Sequence, residues 1–163
     1  MNNLENVIAY FCLHYPHKRE LSKARLTKLV YLADWFSALI FRRQITNINW
    51  IFNHYGPYVD DIARTVSYNN NFRVINTFTQ FNTEKSIIYY IGREDNITIS
   101  NDEVSILNFV IEKTKNFYFD EFIDYIKRGG ELNFLYNKKE YGVFKLNGKY
   151  IISKLDGGEE SVY

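Results

Sequence analysis

Between Ser22 and Arg43 the apolar side chains recur at a spacing that fits one regular structure. Leu26, Leu29, Val30, Ala33, Phe36 and Ile40 fall on one stripe of a 3.6-residue helix, and Leu32, Trp35 and Leu39 widen it. A stripe this broad must be buried, so the spacing predicts a central helix with other elements packed around it. Ser22 suits the N-cap, and Arg42 and Arg43 suit the negative end of the helix dipole. Lys28 breaks the pattern. The same wheel sets it between Ala24, Tyr31, Trp35 and Leu39 rather than on a polar face. Either its stem packs on aromatic rings while the ammonium reaches water or a carboxylate, or its charge is held for an acidic ligand or a partner protein.

The flanking segments read as shorter elements. Leu4, Val7, Ile8, Phe11 and Tyr15 give a first helix that stops before Pro16, because the residue preceding a proline is pushed out of helical geometry. Ile48, Trp50 and Phe52 alternate, as in a short extended segment. Gly56-Pro57 then ends it, and Pro57 with Asp60 and Asp61 predicts the first turn of a third helix running to about Tyr68. Phe72 to Gln80 and Ser86 to Gly92 read as a hairpin. Ser100 and Glu103 form a capping box, and Asp120 opens a further helix closed by Gly129-Gly130. Asn147-Gly148 between two β-branched and aromatic runs is a hairpin turn signal. The fold class expected is α+β, mainly α: about five helices around the central one, with small antiparallel β elements. Residues 1–155 are expected to form a single domain, and residues 156–163 an acidic, disordered tail.

At 163 residues the chain is long enough for one domain with a real core. Its net charge of +1 supplies no global field toward nucleic acid or an anionic membrane. Lys18, Arg19, Lys23, Arg25 and Lys28 lie close in sequence, and a solvated helix start or a phosphate-binding stripe would both use them. The lone cysteine, Cys12, cannot form an internal disulfide and fits a reducing compartment. No apolar run reaches the ~18 residues of a membrane span, so the expected location is the cytoplasm.

Catalytic and metal signatures are missing. Pro16 separates His14 from His17, and Cys12 and His14 point to different sides of a helix, so neither a zinc site nor a thiol–imidazole pair is expected. There is no phosphate-binding glycine loop, dinucleotide turn or nucleophile elbow. The acidic residues Asp60, Asp61, Asp120, Glu121 and Asp124 fit helix N-termini. A site assembled from distant residues would use His54 beside Tyr55 and Asp60. The pattern otherwise favours a binding protein without cofactor, metal or catalytic residue.

Leu26-Thr27-Lys28-Leu29-Val30-Tyr31-Leu32-Ala33-Asp34, then Trp50, then Tyr55-Gly56-Pro57-Tyr58-Val59, resembles the Panacea domain of SocA-like antitoxins and phage-associated GepA-like proteins. The specific part covers roughly Leu21 to Val66, and Ser100 to Arg128 fits the later helices of that family. The resemblance implies a bacterial, phage or mobile-element antitoxin that neutralises a cognate protein toxin by direct contact, or presents it to an AAA+ protease. A regulator that binds nucleic acid or a host protein is the alternative. The family's motif falls on Lys28, Leu29, Tyr31, Trp50, Gly56 and Pro57, and the partner-binding positions expected are Lys28, Tyr31, Trp35, Trp50, Tyr55, Gly56, Pro57 and Tyr58. The same residues also fit a scaffold: Gly56 for close backbone approach, Pro57 for starting a helix, Tyr31 and Trp50 for core packing.

Overall fold

The computed structural model describes residues 1–53, 56–128, 132–136, 139–146, 149–154 and 161–162, with side chains for 1–51, 56–118 and 120–126. Five α-helices lie among them: α1 (Asn3–His14), α2 (Lys23–Phe41), α3 (Asp61–Ser67), α4 (Asn101–Thr114) and α5 (Phe119–Arg128). The apolar stripe of α2 explains its position. Leu26, Leu29, Val30, Leu32, Ala33, Phe36 and Leu39 are all buried, and α2 touches each of the other four helices. Ile8 and Phe11 of α1, Ile62 of α3, Ile106, Leu107 and Val110 of α4 and Phe122 of α5 complete the same core.

The helix ends follow their capping chemistry. Ser22 Oγ accepts from Arg25 N at 3.1 Å to start α2, and Ser100 and Glu103 form the reciprocal pair that starts α4. Asn2 and Glu5 form a second such pair at α1, which the apolar spacing alone does not reveal. The predicted α2 ran to about Arg43, but the helix stops at Phe41 and Arg42 takes a left-handed conformation with φ of 58°. The arginine pair therefore lies past the last turn.

Arg25 joins several helices. Its guanidinium donates to Tyr15 Oη at 3.1 Å and to Phe117 O at 3.1 and 3.2 Å, and lies 5.1 Å from the Phe122 ring centroid. Tyr15 Oη in turn donates to Thr114 O at 3.3 Å. A buried cation is tolerated here because its donors have acceptors and an aromatic face.

Strands β1 (Ile51–Asn53) and β2 (Gly56–Tyr58) pair antiparallel, with Phe52 opposite Pro57 and Asn53 opposite Gly56. This corrects the expectation for Pro57. It sits in a strand, and the third helix begins at Asp61 with Asp60 as its N-cap residue. β3 (Phe72–Phe78) and β4 (Glu84–Tyr90) form the expected hairpin, Phe72 opposite Tyr90 through to Phe78 opposite Glu84. β5 (Leu132–Tyr136), β6 (Lys139–Leu146), β7 (Lys149–Lys154) and β8 (Ser161–Val162) form one sheet in that order. β6 and β7 pair with Leu146 opposite Lys149, flanking the expected Asn147-Gly148 turn. That turn, Gly129-Gly130 and most of the tail lie outside the described residues.

Candidate functional site

Asp34 organises the region downstream of α2. It lies two turns before the helix end, fully buried, where an isolated carboxylate would be costly. The chain meets that cost by folding the next segment back over it. Oδ1 accepts from Ile45 N at 3.0 Å and Thr46 N at 2.8 Å, and Oδ2 from Gln44 Nε2 at 3.2 Å, Trp50 Nε1 at 2.9 Å and the Thr46 hydroxyl. Ser37 Oγ donates to Arg43 O at 2.7 Å, fixing the intervening turn. Asp34 stands inside the sequence signature, but the apolar wheel gave no hint of its role.

The indole held by Asp34 meets two other rings. Trp50 packs edge-on to Tyr31 at 5.3 Å between centroids, and Tyr31 lies parallel to Trp35 at 6.3 Å. All three are partly buried, so the structure brings three of the expected residues into one row at the molecular surface. Ile51 and Tyr58, opposite each other in the β1–β2 hairpin, are 65% and 49% exposed. Trp35 Nε1 is buried and has no acceptor among the described residues.

Lys28 ties the hairpin to the helix. Its side chain is buried and Nζ donates to Pro57 O at 3.1 Å. Among the described residues the acceptor is thus a backbone carbonyl, where the packing reading expected water or a carboxylate. Burial lowers the pKa of the ammonium. Gly56 precedes that carbonyl with φ of +93°, a conformation that favours glycine, and an added Cβ there would meet no atom within 4 Å. Its role is thus backbone geometry and not close approach. Tyr58 Oη donates to Asp60 Oδ1 at 2.6 Å, and that carboxylate raises the phenol pKa. Tyr55 and His54 lie outside the described residues.

The basic cluster does not survive folding as one surface. Arg25 and Lys28 are buried and donate inward, to Tyr15 and Phe117 and to Pro57, Lys18 and Arg19 are exposed on a 3₁₀ turn (Lys18–Glu20), and Lys23 is intermediate. Cys12 is buried, with its thiol pushed up to about 12 by desolvation, which leaves it protonated and unreactive at neutral pH. No group of three or more His, Cys, Asp or Glu among the described residues could hold a metal ion, and none of the described helices is long and apolar enough to cross a membrane.

No curated protein and no solved structure matches the chain. A family model does, over residues 26–130: the SocA-like antitoxin, Panacea domain. The match begins at Leu26 in α2 and runs past the β1–β2 turn, through the β3–β4 hairpin and α4, to the end of α5. It therefore covers the Asp34 centre, the aromatic row and the core residues of α3, α4, α5 and most of α2, with α1 outside it, and this chain belongs to the SocA-like antitoxin family, carrying its Panacea domain.

Proposed function

We propose that this protein neutralises a cognate protein toxin by direct contact through the face formed by Tyr31, Trp35 and Trp50 with Ile51 and Tyr58. The observation that carries this reading is the row of three partly buried aromatic rings, followed directly in the chain by a hairpin on which Ile51 and Tyr58 are exposed. Tryptophan and tyrosine in such positions offer large, rigid contact area at little entropic cost, which is why they dominate binding energy at protein interfaces. Lys28, Gly56 and Pro57 act as positioning residues that hold the hairpin against α2.

The test is co-expression with the product of the neighbouring reading frame. The wild-type chain is expected to restore growth and to co-purify with that product. Trp35→Ala should keep the fold and lose rescue, with a binding loss of about tenfold or more, as for a truncated interface anchor. Rescue by a folded Trp35→Ala, Trp50→Phe double variant would exclude this face. Whether the bound toxin is simply blocked or passed to a protease is decided by its half-life in cells with and without the antitoxin.

A further inference from the structure

A second surface lies at the N-terminal end of α2. One edge of β4 pairs with β3. On the other edge, Ser22 bridges Ile87 in antiparallel fashion, and Ile88 N donates to Leu21 O at 3.0 Å. Leu21 and Ser22 thus act as the stub of a third strand, cut short because Ser22 then caps α2. Backbone groups alternate sides along an antiparallel strand, so the outward N–H of Ile88 places those of Ser86 and Glu84 on the same outer edge. The antiparallel bridge sets Lys23 opposite Ser86, and beyond it no backbone hydrogen bond among the described residues engages the outward N–H groups of Ser86 and Glu84.

The open edge forms one wall of a groove of about 810 Å³, with the first turn of α2 at Lys23, Ala24 and Arg25 as another. Phe81 and Tyr118 line the same groove, and each is 81% exposed. Two large aromatic rings beside an unpaired strand edge are what sequences normally avoid, because the combination recruits another strand. Charge decides what kind. Lys23, Arg25 and Lys85 are balanced by Glu20, Glu84 and Asp120, so the groove has no net sign. A polyanion gains nothing there, whereas an uncharged segment meets the free backbone groups without a desolvated charge left over.

The geometry points to strand addition as the use of this groove. An uncharged, extended segment of a partner polypeptide pairs with the outer edge of β4 over Glu84–Ser86, continuing the pairing begun by Leu21 and Ser22. Its alternate apolar side chains rest on Phe81 and Tyr118. This surface is separate from the aromatic row on α2, and the inference stands or falls independently of toxin binding there.

The probe is a set of blocked hexapeptides alternating threonine with valine, isoleucine, phenylalanine or tyrosine, titrated into the full chain labelled with ¹⁵N. At least one member is expected to bind saturably and to slow amide exchange at Glu84 and Ser86 by about tenfold. Ser86→Pro removes the outward N–H while leaving the ladder to β3, and should weaken binding about tenfold with an unchanged melting temperature. Phe81→Ala, at an exposed side chain, gives the same loss if the proline variant fails to fold. Trp35→Ala should bind the peptides as wild type does. The proposal is overturned if no member of the set binds at millimolar concentration, or if Glu84 and Ser86 are already protected in the free chain. It is equally overturned if bound peptide protects the β1–β2 hairpin instead, or if a folded Phe81→Ala binds unchanged.

Discussion

A buried carboxylate with five donors is worth more as a fastener than as a charge. Asp34→Ala would leave the buried N–H groups of Ile45 and Thr46 and the half-buried indole of Trp50 without their acceptor. With a penalty of about 1–3 kcal/mol for a single orphaned donor, the expected loss is on the order of 3–5 kcal/mol, read from urea unfolding. Thr46→Val removes one donor to Asp34 and the weak acceptor of Ile48 N at 3.4 Å and leaves the other four donors, so about 1–2 kcal/mol is expected. Equal losses in the two variants would mean that Asp34 does not organise the segment. Lys28 makes a different claim, one about pH. Burial lowers its folded-state pKa beneath the ordinary 10.5, so between those two values the unfolded chain binds more protons and stability rises with pH. Lys28→Met removes that rise. The stability of wild type relative to the variant should therefore increase as pH climbs through the window, and a decrease would mean the ammonium is held charged.

At the level of elements, the β1–β2 hairpin depends on one backbone conformation. Gly56→Ala meets no steric obstacle but forces a side chain into φ of +93°, which should cost about 1–2 kcal/mol in thermal or denaturant melts. A neutral Gly56→Ala would show that the hairpin adjusts freely. The elements legible in the sequence were those set by local chemistry. The α2 stripe, the Ser22 cap and the Ser100–Glu103 box state their structure within a few residues, and the two β-branched and aromatic runs, Phe72 to Gln80 and Ser86 to Gly92, state the β3–β4 hairpin. Pro57 was misassigned because proline followed by two aspartates also fits a helix start, and pairing with Phe52 is a tertiary fact. The helix end at Phe41 escaped for a similar reason: Arg42 adopts a left-handed cap usually given to glycine. Tyr31 and Trp35 stand four residues apart on α2, but Trp50 joins them as a row only because Asp34 holds its indole, a tertiary contact that no local spacing states. The groove beside β4 had no signal at all, because its walls come from three separate stretches of chain.

For the molecule as a whole, a net charge of +1 leaves little long-range steering. If a partner is captured on the aromatic face, its association rate should change by less than about twofold between about 50 and about 300 mM salt in stopped-flow measurements, and a steep fall would assign recognition to charge. The Asp34 fastening has a consequence at this scale. It works from the inside, through one helix residue that holds two loop N–H groups and the inward side chains of Gln44, Thr46 and Trp50, so the path of that loop does not depend on what its outward side chains are. Positions such as Ile51 and Tyr58 can then be exchanged with little penalty to folding, while the surface that carries them keeps its shape and loses little freedom when it is covered. Inheritance of the scaffold and choice of partner are in this way separate problems for the chain: one is solved by a single aspartate, and the other stays open to change.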